Sequence, residues 1–186
     1  MKLILASGSP RRQQLLTLAG IPFQVIVSDA DETIDGHPAY QVETLALRKA
    51  HAVKPTAPED AIILAADTLV YIDGQVLGKP AGPEEAFAML QKLQGRQHTV
   101  YTGVALLHSG GETSFVDATQ VFFRPLSGDE INDYIATGEP FDKAGAYGIQ
   151  ERGATLVDRV DGDFYTVVGL PIAKVWAALR GIAKSN

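Results

Sequence analysis

A chain of 186 residues with 46% hydrophobic and 20% charged side chains has the balance of an ordinary globular domain with a sizeable core. Its net charge of −6 argues against non-specific binding to a nucleic-acid backbone, so any anion site must be local. The absence of cysteine excludes disulfides, thiolate metal sites and cysteine nucleophiles. With no signal-type N-terminus and no 18-residue apolar run, the expectation is a soluble, cytoplasmic protein with neither membrane nor nucleic-acid partners.

The first predicted strand, Lys2 to Ala6, turns abruptly into a helix. Ser9 suits the N-cap, Pro10 the first helical position, and Leu15, Leu16, Leu18 and Ala19 an apolar stripe that Gly20 stops. A helix start presents unpaired N–H groups and partial positive charge. Ser7, Ser9, Arg11 and Arg12 gather at this one, and the two guanidiniums oppose the dipole unless an anion offsets them. Phosphate fits such an end best, because forked guanidiniums and backbone N–H groups match its oxygens. The alternative is a surface arginine pair beside an ordinary cap.

Phe23 to Val27 reads as a second strand, followed by an acidic connector, Ser28 to Pro38. The connector is either a solvated loop or a carrier of Asp31 and Glu32 toward a metal. Tyr40 to Val53 has helical spacing, with Val42, Leu45, Ala46, Ala50 and Val53 on one face. Lys49 falls inside that stripe, where a lysine either snorkels to the edge or meets an anion.

Ala61 to Ala66 is apolar throughout and predicts a central, doubly covered strand, which Asp67 and Thr68 are expected to interrupt. A carboxylate at the end of a buried strand is expensive unless paired or bound to metal, so Asp67 is a candidate metal ligand or general base. Asp73-Gly74 predicts a hairpin turn, with the return strand ending at Gly78-Lys79-Pro80. GQVLGKP is a near miss to a phosphate-binding P-loop, too short between its glycines and with Pro80 where Ser or Thr is required. Lys79 remains a point charge for phosphate.

Gly82 to Gly95 reads as a helix with Ala86, Phe87, Met89, Leu90 and Leu93 on its core face. His98 to His108 and Glu112 to Phe123 read as strands joined at Gly110-Gly111, and Ser127 with Glu130 forms a capping box for a helix through Ala136. The glycine-rich stretch 138–153 holds Asp142, Lys143, Tyr147 and Gln150, and Gln150 can donate and accept together, as base reading requires. A further hairpin is expected from Ala154 to Val160 and Phe164 to Val168 over Asp161-Gly162, and a final helix from Leu170 to Ala183. No HExxH, GxSxG or GxGxxG pattern is present, which removes zincins, serine hydrolases and dinucleotide oxidoreductases as leading readings.

Eight segments occur in order across the chain: LASGSPRR, DET, LALRKA, AADTLV, GKP, YTG, GEPFDKAGAYGIQ and VVGLP. On these the chain resembles the Maf family of nucleoside triphosphate pyrophosphatases nearly end to end. The resemblance implies a single domain over residues 1–186, of mixed α/β fold, in two lobes around a deep cleft and similar to inosine triphosphate pyrophosphatases. It implies hydrolysis of a nucleoside triphosphate to monophosphate and pyrophosphate with Mg²⁺ or Mn²⁺, and a homodimer is compatible with it. Asp67 would be the proton acceptor; Ser7, Ser9, Arg12, Glu32, Lys49, Lys79 and Gln150 would line the site. Arg11, Thr68 and Gln150 match the branch acting on dTTP and UTP, where a sibling branch preferring 7-methyl-GTP has Trp, Gln and Glu. For the chemistry, Arg11, Arg12, Lys49 and Lys79 supply cations for the phosphates, and Glu32 and Asp67 supply oxygen ligands. The competing readings are a pyrophosphatase for modified nucleotides and a nucleotide-binding regulator of cell division.

Overall fold

The computed structural model describes residues 2–185. Seven strands hydrogen-bond in the order β2-β1-β3-β5-β6-β7, with β4 paired to β3: β1 is Lys2–Leu5, β2 Gln24–Val25, β3 Ala61–Ile72, β4 Gln75–Leu77, β5 Gln97–His108, β6 Gly111–Phe123 and β7 Val157–Asp161. β1 runs parallel to both β2 and β3, with Leu5 opposite Leu64, whereas β4 on β3 and β7 on β6 are antiparallel. The fold is therefore mixed α/β. Parallel neighbours need crossovers, and these are α1 (Pro10–Leu18) between β1 and β2, and α2 (Pro38–Val53) between β2 and β3. The remaining helices are α3 (Pro83–Leu93), α4 (Gly128–Ile135), α5 (Phe164–Val168) and α6 (Ile172–Ser185). No helix among the described residues is long and apolar enough to cross a membrane.

The chain forms two compact units. The first comprises Met1–Asp67, Thr102–Asp117 and Gly169–Asn186; the second comprises Thr68–Tyr101 and Ala118–Val168. In the first, Ala46, Ala50 and Val53 of α2 pack against Ile4, Ala61, Ile63, Ala65, Ala105 and Leu107 from the strands and Ala6 just past β1. The small residues in this set let helix and strands approach closely. At Gly103 the approach is backbone to backbone: a Cβ there would lie 2.3 Å from the carbonyl carbon and oxygen of Val42. That accounts for the glycine of the YTG segment, since any side chain would push α2 off the sheet.

In the second unit α3 buries Ala86, Met89, Leu90 and Leu93 and packs on α4. The capping box at the start of α4 is present: the Ser127 hydroxyl accepts from Glu130 N–H, and Glu130 accepts from Ser127 N–H. That N–H, with Arg124 beside it, holds the Glu130 carboxyl down at about 2. The β3–β4 turn is the expected tight one, with Asp73 and Gly74 both at positive φ (51° and 77°).

Four expectations are corrected. Leu18 is 69% exposed, so the apolar face of α1 reduces to Leu15 and Leu16. β2 covers only Gln24–Val25 rather than Phe23 to Val27. β3 is not interrupted at Asp67 and Thr68 but continues through both to Ile72, because the second half of the strand pairs with β4. Phe164 to Val168 is a helix rather than a strand, and 154–156 belong to a 3₁₀ segment ahead of β7. Asp163 explains that helix: its carboxylate accepts from Tyr165 N–H (3.2 Å), Thr166 N–H (3.0 Å) and the Thr166 hydroxyl (3.0 Å). A side-chain cap thus overrides the strand preference of Phe-Tyr-Thr-Val-Val.

Candidate active site

The first unit assembles a charged cluster at the carboxyl ends of its parallel strands, where open α/β sheets present ligands. Ala6 N–H still donates to Leu64 O (2.7 Å), so β1 stays paired to β3 until the chain leaves at Ser7. The buried Ser7 hydroxyl accepts from Ser9 N–H (3.2 Å) and from Arg12 Nη1 (3.0 Å). Ser9 is the N-cap by position, yet its side chain makes no capping bond; Ser7, two residues earlier, organises the turn. No acidic residue occupies the first turn of α1, so its positive end is not neutralised from within the helix.

Arg12 Nε donates to Gly169 O (2.9 Å), which ties α1 to the short segment between α5 and α6. Burial lowers the pKa of Arg12. The field of Asp67 works against that shift, Arg11 adds to it and Glu32 opposes it, so all four charges lie within electrostatic reach of one another.

Lys49 joins the two carboxylates. Its Nζ lies 2.6 Å from Asp67 Oδ1 and 2.8 Å from Glu32 Oε1. Its side chain is only 12% exposed, so it points inward instead of snorkelling. Asp67 is buried, whereas the Glu32 side chain is 62% exposed. The ammonium is what makes a carboxylate tolerable in the middle of a buried strand. Asp31, the other acidic candidate, turns its carboxylate onto Thr33 N–H (2.9 Å), which lowers its pKa; it shapes the loop while Arg48 donates to Thr33 O (2.9 Å).

Glu32 and Asp67 converge on the Lys49 ammonium; their carboxylate oxygens are of the kind a hard divalent cation takes, and such a cation would have to displace Lys49 Nζ from between them. Among the described residues no group of three or more His, Asp or Glu side chains is placed to hold a metal.

Thr68, Lys79 and Gln150 belong to the second unit. Thr68 follows Asp67 along β3, so the two side chains project to opposite faces of the strand. Lys79 is exposed, just past the end of β4. Its neighbour Gly78 accepts from Gly145 N–H (3.0 Å), which brings the GKP segment against the glycine-rich loop. Gln150 is half-buried at the far end of that loop, between Ala146 and Glu151, which hold the unusual positive φ values of 60° and 55°. Lys143 serves the loop itself: Nζ donates to Glu139 O and pairs with Asp142, both at 2.7 Å.

The sequence candidates Ser7, Arg12, Glu32, Lys49 and Asp67 are thus brought together, with Ser9 and Arg11 at the same helix start. Sequence reasoning gave no role to His98, which is buried against Tyr147; nothing in the local pattern of β5 separates it from an edge histidine.

The chain is similar to known proteins over nearly its whole length. Residues 2–182 match the family described as Maf-like protein. A Bacillus cytotoxicus protein named dTTP/UTP pyrophosphatase is 52% identical over 96% of this chain and 94% of its own length. A Bacillus velezensis protein of the same name is 51% identical over 96% and 95%. Among solved structures, a dITP/XTP pyrophosphatase from Mycobacterium abscessus superposes with a TM-score of 0.46 at 15% identity, covering 100% of this chain and 97% of that one. The Staphylococcus aureus Ham1 protein gives 0.47 at 15% identity over 66% and 72%.

Proposed function

The chain belongs to the Maf family, and from that premise we propose that it is a nucleoside triphosphate pyrophosphatase that converts dTTP and UTP to the monophosphate and pyrophosphate, as a single functional domain. Two relatives that match nearly the whole of their own length and of this chain, with about half of the aligned residues identical, carry that activity in their names. The observation in the structure that supports the reaction is the Glu32–Lys49–Asp67 cluster beside the Ser7–Arg12 turn.

In this reading the N-terminus of α1 and the side chains of Ser7, Ser9, Arg11 and Arg12 take the phosphate oxygens, because the donors there are already gathered and carry net positive charge. Asp67 is the acidic residue for the attacking water. Paired with Lys49 in the buried part of β3, it orients that water or receives its proton. The bond formed is from water oxygen to the α-phosphorus; the bond broken joins that phosphorus to the oxygen bridging the β-phosphate, and pyrophosphate departs. Glu32 and Asp67 would hold Mg²⁺ or Mn²⁺, which supplies charge neutralisation for the phosphate oxygens. Lys79 is assigned to phosphate, and Thr68 and Gln150 to recognition of the pyrimidine nucleotide, Gln150 through its paired donor and acceptor.

Pyrophosphate release from a panel of nucleoside triphosphates, with Mg²⁺, with Mn²⁺ and with EDTA, tests the reading. Metal-dependent release from dTTP and UTP is expected. Release from 7-methyl-GTP in their place would keep the reaction and overturn the substrate. Tight nucleotide binding without turnover would overturn the reaction.

A further inference from the structure

His98, on β5, has 2% of its surface exposed, and its Nε2 shares a 2.7 Å hydrogen bond with the Tyr147 hydroxyl. Phe123 completes a mutually edge-to-face trio, with ring centroids 5.1 Å from His98 and 4.7 Å from Tyr147, and 5.4 Å between those two. Burial pushes the His98 pKa down to about 4, so the ring is neutral, and burial raises that of Tyr147, so the phenol keeps its proton. His98 Nδ1 has no partner among the described residues.

Packing alone does not call for this arrangement. Apolar rings would fill the same space without the desolvation cost of an unmatched buried nitrogen. Tyr147 also carries more than itself. Two residues with positive φ, Gly145 and Ala146, precede it, and Gly148 N–H, directly after it, donates to the Tyr134 hydroxyl (3.1 Å). Gly148 in turn has the backbone of Gly153 pressed against it: a Cβ on Gly153 would lie 1.7 Å from Gly148 O. Tyr147 is therefore a buried anchor of a loop that side-chain bonds of Tyr134, Glu139 and Lys143 also hold, and Gln150 lies three residues beyond it.

We propose that His98 is a positioning residue for nucleotide recognition: by holding the Tyr147 hydroxyl it fixes the Gly145–Gln150 segment in the conformation that presents Gln150 to the base. This role rests on Gln150 being the base reader.

The test is steady-state kinetics on dTTP, UTP and GTP for His98→Phe, His98→Gln, Tyr147→Phe and Gln150→Ala, with thermal melts of each. His98→Phe and Tyr147→Phe should raise KM for dTTP and UTP about tenfold, change kcat less than about threefold, and narrow the gap between pyrimidine and purine substrates. His98→Gln, whose amide reaches the Nε2 position, should restore most of the loss. Unchanged KM and selectivity in His98→Phe and Tyr147→Phe, with selectivity lost in Gln150→Ala, would overturn the positioning role and leave Gln150 as reader. A fall in melting temperature with KM and selectivity intact would likewise overturn it, reducing His98 to a core residue. Unchanged selectivity in Gln150→Ala would remove the base reader and the His98 role with it. Should His98→Phe fail to fold, Tyr147→Phe carries the test, since it deletes a single oxygen.

Discussion

Lys49 Nζ sits 2.6 Å from Asp67 Oδ1, joining the inward face of α2 to the middle of β3. The pair makes the two residues interdependent. Asp67 is buried only because the ammonium is there, and Lys49 points inward only because the carboxylate is.

Asp67→Asn keeps the size of the side chain and removes its charge. It should lower pyrophosphate release from dTTP about 100- to 1000-fold, the usual loss for one essential electrostatic contact at a reacting centre. Near-normal turnover in a variant with an unchanged circular dichroism spectrum would exclude Asp67 from the chemistry.

Lys49→Met leaves Asp67 without its partner inside the strand, while Glu32 relaxes into solvent. Stability should fall by about 2 kcal/mol at pH 7, read from urea denaturation. The double variant Lys49→Met/Asp67→Asn should recover part of that loss, because no isolated charge remains buried. A double variant less stable than the sum of the singles would contradict the coupling.

Gly103→Ala tests the close approach of α2 to β5. A methyl group 2.3 Å from the Val42 backbone cannot be accommodated without moving the helix, so the expected cost is about 3 kcal/mol. The melting temperature reports it; an unchanged melt would mean that α2 has room to shift.

His98 makes stability depend on mild acid. Its folded pKa of about 4 lies below the unfolded value near 6.5, so the unfolded chain binds the extra proton first. Its contribution is complete above about pH 6.5 and is lost as pH falls toward 4, by up to about 3 kcal/mol. Urea denaturation at pH 7 and pH 4.5 should therefore differ less in His98→Phe than in the native protein. An equal pH difference in both would assign the acid sensitivity to other groups.

What could be read from the sequence was local. Pro10 and Ser9 mark α1, the Ser127–Glu130 box marks α4 and Asp73-Gly74 marks the β3–β4 turn, because caps and turns are decided by residues within four positions of each other. Asp67 and Lys49 each stand out as polar in an apolar pattern, yet only the fold shows that they meet, 18 residues apart. Residues 164–168 read as a strand because five strand-favouring side chains outweigh one preceding aspartate in any local count, whereas in the folded chain that aspartate accepts three hydrogen bonds and starts a helix. The YTG glycine was visible as a motif, but its cause, the Val42 backbone, lies 61 positions upstream.

The bond from Arg12 to Gly169 spans 157 positions. During vectorial synthesis the second unit has emerged as far as Val168 before Gly169 appears, and the first unit still lacks its last segment. Contacts of such sequence separation close late, because the intervening chain must be ordered first. The turn around Ser7, although encoded ahead of the second unit, is thus among the last parts of the protein to mature, and a nascent chain arrested before Gly169 holds Arg11 and Arg12 without the carbonyl that aims one of them.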